Sequence, residues 1–141
     1  MTDGGGAAAR PEAVFLMVAE DEDLSVRVQY EPGYVLITAA GEIDFASVAG
    51  LRERMYTLAA TGRPLVADLD RVSFIDAAGL GALAGAARQA AAHGASLRVV
   101  CARPRIRRLF RITGLDQAIP SAGTLGEALG MLASAAKAEA V

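Results

Sequence analysis

The chain has 141 residues, 53% hydrophobic and 21% charged, which suits one domain with a sizeable core and is too apolar for a disordered chain. A net charge of −2, 5% aromatic residues and no Trp argue against nucleic-acid binding and against base-stacking or carbohydrate platforms. The single cysteine, Cys101, and single histidine, His93, exclude a disulfide within the chain and a Cys/His zinc site.

The opening "MTDGGGAAARPEA" has no basic region leading into a long apolar segment, so neither a secretion signal nor membrane insertion is expected, and the location expected by elimination is the cytoplasm. Residues 1–23 read as a flexible N-terminal tail, Gly/Ala-rich to residue 13. "VFLMVAEDED" starts apolar and ends in four acids, Glu20 to Asp23; it either adds a short edge strand or stays loose. "LSVRVQY" alternates apolar and polar residues as a half-buried strand does, "EPG" turns, and "YVLITAAGEI" is its expected hairpin partner.

The period then changes. Val48, Leu51, Met55 and Leu58 fall at helical spacing, with Asp44 at the expected N-cap and Gly62 at the stop. "PLVADLD" is a short continuous strand of the buried parallel kind. "AAGLGALAGAARQAAAHG" is a second helix, capped by Asp76 and ended by Gly94. "SLRVVC" is another buried strand, and "RPRIRRLFRITG" a short helix with Ile106, Leu109, Phe110 and Thr113 inward. "DQAIP" reads as a final short strand, and "TLGEALGMLASAAKA" as a terminal helix with Leu125, Leu129 and Leu132 on one face. The order β-β-α-β-α-β-α-(β)-α predicts an α/β domain with a mixed sheet of four to five strands and helices mainly on one face, spanning residues 24–138.

Two loops, "GEIDF" and "FIDAAGLG", follow strand ends and precede helix N-termini, where ligands of open α/β sheets bind. Asp44 and Asp76 there are either helix caps alone or caps that also meet a partner. Gly79, Gly81 and Gly85 each cost about 1 kcal/mol against Ala in a helix interior. Close packing explains them, or a smooth face that a partner can approach. "GLGALAG" fits neither a dinucleotide fingerprint nor a phosphate loop, so no nucleotide or other cofactor is expected.

The run "VADLDRVSFIDAAGLGALAGAARQA", with "GEIDFASVAGLRERM" upstream and "LRVVCARPRIRRLFRITGLDQAI" downstream, resembles the STAS domain family over about residues 24–134, and especially its bacterial anti-sigma factor antagonists. The resemblance implies a non-catalytic partner switch. Such antagonists bind an anti-sigma factor of serine-kinase fold, a sigma factor is released, and phosphorylation of one serine ends the contact. The phosphorylated serine of a D-S-S-G-like motif matches Ala78, and the residue before it matches Ala77, so both hydroxyls are missing while Asp44, Asp76, Gly79 and Leu80 match. The expected partner-binding residues are Asp44, Phe45, Asp76, Ala77, Ala78, Gly79 and Leu80, with the exposed side of the second helix. The alternative is a STAS accessory subunit of a membrane transport system, or a small-ligand-sensing module. Monomer and homodimer both stay open.

Three further features have structural readings. The five arginines of Arg103–Arg111 form a solvated face or meet an acidic partner or anionic lipid. Cys101 is expected to be a small core residue, and a redox role would need exposure. His93 closes a helix, where a cation suits the dipole, and no Ser-His-Asp or Cys-His arrangement forms around it.

Overall fold

The computed structural model describes residues 15–20 and 23–140; the Gly/Ala-rich segment 1–13 lies outside the described residues. In chain order the elements are β1 (Phe15–Glu20), β2 (Leu24–Glu31), β3 (Tyr34–Ile43), α1 (Val48–Ala59), β4 (Leu65–Ile75), α2 (Ala77–Ala92), β5 (Leu97–Val100), α3 (Pro104–Thr113), α4 (Leu115–Ala118), β6 (Ser121–Ala122) and α5 (Leu125–Ala140). The strands form one sheet in sequential order, β1 to β6. β1, β2 and β3 pair antiparallel, and β3 to β6 pair parallel. Parallel neighbours need a crossover, which α1 and α2 supply for β3–β4 and β4–β5.

Alternation along the strands splits the apolar residues between two faces. Val35, Ile37 and Ala39 of β3, with Leu65, Ala67 and Leu69 of β4, join the main core, which α1 to α4 cover through residues such as Leu51, Met55, Leu83, Ile106, Phe110 and Leu115. Leu36, Val66, Val100 and Ala122 point the other way and pack beneath Ala128, Leu125, Met131 and Leu132 of α5. The mixed sheet with helices mainly on one face is thus as expected.

Four local expectations change. Six strands replace four or five, because Phe15–Glu20 pairs with β2. β4 continues through "RVSFI" to Ile75, its polar residues interleaved with buried Leu69, Val72 and Ile75. Asp116–Ala118 of "DQAIP" belong to the short helix α4 rather than a strand, and pairing moves on to Ser121–Ala122 beside β5. Thr113 is exposed, and its hydroxyl donates to the Leu109 carbonyl (2.8 Å) instead of facing the core.

Gly41 is required by geometry. Its φ is +115°, and a Cβ there would collide with the carbonyl oxygen of Asp23. That carbonyl also accepts from the Glu42 N–H (2.8 Å), joining the start of β2 to the end of β3. Gly85 lies under the Tyr56 hydroxyl, so α1 and α2 pack closely there. Gly81 has open space around it and owes nothing to packing.

Cys101 is fully buried in the main core, and that burial pushes its thiol above the ordinary value of 9.0. The folded thiol holds its proton to higher pH than the unfolded one, so the native state loses stability as pH rises past the unfolded value. Two outcomes follow. Gly41→Ala should lower unfolding free energy by about 2 kcal/mol or more in urea titrations. Cys101→Val should flatten the alkaline fall in stability expected between about pH 8 and 10 (roughly the range around the free thiol value) without altering the neutral-pH fold.

Candidate functional site

β3 and β4 run parallel and end together, with Ile43 paired to Ile75. The next residue of each chain segment is an aspartate, so the register itself brings Asp44 and Asp76 to one end of the sheet. Asp76 is extended (φ −109°, ψ −171°) and caps α2: its Oδ1 accepts from the Ala78 N–H (2.9 Å) and the Gly79 N–H (3.1 Å). This satisfies two of the donors that a helix N-terminus leaves open. Its Oδ2 accepts from the Phe45 N–H at 3.1 Å, across 31 residues of sequence. The Asp76 N–H in turn donates to the Ile43 carbonyl (3.1 Å). One residue therefore ties the end of β3, the loop after it and the start of α2 into a single unit.

Asp44 differs from its expected role. α1 starts at Val48, four residues later, and Ser47 precedes it without a side-chain cap bond. Asp44 instead closes a preliminary turn. Its Oδ1 accepts from the Ser47 N–H (3.0 Å), while the Ser47 hydroxyl oxygen accepts from the Asp44 N–H (3.0 Å). That hydroxyl donates to the Glu42 carbonyl (2.8 Å). The reciprocal pair is a capping-box geometry displaced ahead of the helix, and it makes Ser47, which is buried, the lock of the loop. The sequence signal was available: Ser47 stands directly before the first periodic residue, Val48.

The loop so fixed presents Phe45 with 85% of its surface exposed. Ala77 is exposed beside it on α2, and Ala78 is half-buried with its methyl on the core. Gly79 lies beneath this surface. A Cβ there would stand 2.6 Å from Ile75 Cγ1 and 2.8 Å from Ile43 Cγ2, so only glycine lets α2 start so close to the strand ends. Leu80 packs partly against the core. Phe74, absent from the expected site, is 45% exposed two residues before Asp76. His93 ends α2 with Nδ1 2.9 Å from the Gln89 carbonyl, away from this junction. Among the described residues no group of three His, Cys, Asp or Glu is placed to hold a metal ion, and no helix is long and apolar enough to cross a membrane.

The paired strand ends of the mixed sheet thus carry a capped helix and an exposed aromatic side chain. Residues 25–128 match the STAS domain family, and the chain belongs to it. It is 36% identical to the anti-sigma-B factor antagonist of Bacillus subtilis (strain 168) over 97 residues, 69% of this chain and 89% of that relative. The crystal structure of an anti-sigma factor antagonist from Mycobacterium paratuberculosis superposes with a TM-score of 0.72 at 29% identity, covering 81% of this chain and 97% of that one. The unphosphorylated anti-sigma factor antagonist SpoIIAA, at 24% identity and a TM-score of 0.63 over 86% of this chain and 97% of its own, shares the fold.

The two Asp76 oxygens should separate by substitution. Asparagine caps helices about as well as aspartate, but its amide nitrogen cannot accept from Phe45. Asp76→Asn should cost less than about 1 kcal/mol while speeding amide exchange at Phe45. Asp76→Ala should cost about 1–3 kcal/mol, through the lost cap and the unpaired Phe45 donor. Urea titration combined with residue-resolved exchange checks both.

Proposed function

We propose that this chain is an anti-sigma factor antagonist, acting in the cytoplasm on an anti-sigma factor of serine-kinase fold so that a sigma factor is released. The observation that carries the reading is Phe45: an aromatic side chain almost wholly in solvent, on a loop held by Asp76 and Ser47. An exposed, pre-positioned aromatic is the kind of side chain that dominates binding energy at protein interfaces, because little ordering remains to be done when it docks. Its relatives named anti-sigma factor antagonists supply the class of partner.

The missing hydroxyls give the switch a different character. Ala77 and Ala78 occupy the positions that resemble the family's phosphorylated motif, and a methyl group accepts no phosphate. Ser47 is a poor substitute acceptor, buried with its hydroxyl committed to the Glu42 carbonyl. Ser73 is exposed, but it lies on β4 and donates to the Gly41 carbonyl (3.3 Å). The chain therefore behaves as a constitutive antagonist. A phosphate at position 78 would bring about −1.5 to −2 charge against the Asp76 carboxylate, which is the physical reason that such a modification opposes docking.

Titration calorimetry against the purified cognate anti-sigma factor tests the surface. Phe45→Ala should lose about 2 kcal/mol, roughly thirty-fold in affinity. Asp76→Lys should bind at least as poorly, and Lys137→Glu, on the far face of the sheet, should bind like wild type. Equal binding by all three variants would place the interface elsewhere. Ala78→Ser should gain one phosphate from the partner kinase with Mg-ATP and then dissociate from that kinase, whereas wild type should gain none. A phosphate on wild-type Ser73 or Ser47 would contradict the constitutive reading.

A further inference from the structure

Three large apolar side chains are exposed among the described residues: Phe45, Phe74 (45%) and Ile112 (67%). They are not scattered. Phe45 is bonded through its backbone to Asp76, and Phe74 stands two residues before Asp76 on β4. Phe74 and Ile112 line one groove of about 310 Å³, with Ile75 and Leu109 in its apolar lining and Arg105 and Arg108 beside them. The groove thus begins one residue from Asp76 along the chain.

The arginines of α3 and its approach divide into two kinds. Arg103 Nε donates to the Asp70 carbonyl (2.7 Å), and Arg107 Nη1 donates to the Cys101 carbonyl (2.9 Å). The Asp70 carboxylate also accepts from the Ala102 N–H (2.7 Å), so these contacts seat the loop from β5 to α3. Arg105, Arg108 and Arg111 make no side-chain hydrogen bond or ion pair among the described residues, and of these three Arg105 and Arg108 line the groove. Three residues apart, they project from one side of the helix. A merely solvated face needs no apolar cleft beside its charges. Free guanidinium forks next to exposed Phe74 and Ile112 match a surface that offers carboxylates and apolar side chains together.

We propose that this groove is the second half of the docking surface and takes an amphipathic segment of the anti-sigma factor, its apolar side chains against Phe74, Leu109 and Ile112 and its carboxylates on Arg105 and Arg108. The proposal rests on the antagonist reading above and names the chemistry of the partner segment.

The test is affinity for the purified cognate anti-sigma factor at two ionic strengths, about 50 and 200 mM, a range over which exposed charge pairs are increasingly screened. Arg105→Glu/Arg108→Glu should weaken binding at least ten-fold at low salt and flatten the salt dependence of wild type. Ile112→Asp should weaken it independently, and melting curves should match wild type, since all three side chains are exposed. Wild-type binding with unchanged affinity and salt slope in both variants would overturn the groove proposal while leaving the Phe45 junction standing. No wild-type binding at all would overturn the antagonist reading and the groove with it. Binding of wild type to phosphatidylglycerol vesicles that the arginine variant loses, with partner affinity unchanged, would assign the groove to anionic lipid instead. An arginine-dependent dimer in sedimentation velocity, again with unchanged partner affinity, would assign it to a second copy.

Discussion

Asp76 accepts hydrogen bonds on both carboxylate oxygens, one from the first turn of α2 and one from the loop after β3. Both halves of the junction lose a hydrogen-bond partner without it. The helix N-terminus would keep unpaired N–H donors, and the Phe45 backbone would have water as its only alternative partner. A carboxylate is well suited to this place, because it is an acceptor at both ends and its negative charge faces the positive end of the α2 dipole. The parallel register of β3 and β4 sets the two segments close enough for one side chain to span them.

Around that carboxylate, small residues allow the close approach. Gly79 lets α2 begin directly over Ile43 and Ile75, and Gly41 lets the β3 end pass the Asp23 carbonyl. Ser47 and Asp44 then fix the loop that carries Phe45. The outcome is a protein surface that is exposed yet already ordered. Recognition through such a surface should lose little free energy to rearrangement on binding. The alanines at 77 and 78 leave this frame intact, since both the cap and the helix start depend on backbone N–H groups and not on the side chains there.

Much of this was legible in the sequence, and what was not has identifiable physics. Asp76 was readable as a cap because an apolar strand stopped at it and a helical pattern began after it. The hairpin, α2, β5 and α3 followed from period and turn residues. Asp44 was misplaced because two capping residues, Asp44 and Ser47, precede one helix, and only the turn between them decides which serves it. The strand through "RVSFI" was hidden by its polar residues, and the four-residue α4 is too short to display a period. Phe15–Glu20 could not be assigned because an edge strand beside an acidic run has no decisive local pattern. The Phe45–Asp76 bond and the groove beside Phe74 depend on backbone donors and on the juxtaposition of distant elements, neither of which leaves a mark in the sequence.

The proposed function needs one pre-ordered surface, built on Asp76, to receive the partner. Residue-resolved amide exchange of the protein free and bound to its anti-sigma factor tests this most directly. Protection gained on binding is expected to concentrate at Phe45 and its loop, at the first turns of α2 and around Phe74, with the Ala78 and Gly79 amides already slow in the free protein. Protection gained instead on α5 and at the β6 edge, with Phe45 unchanged, would contradict it.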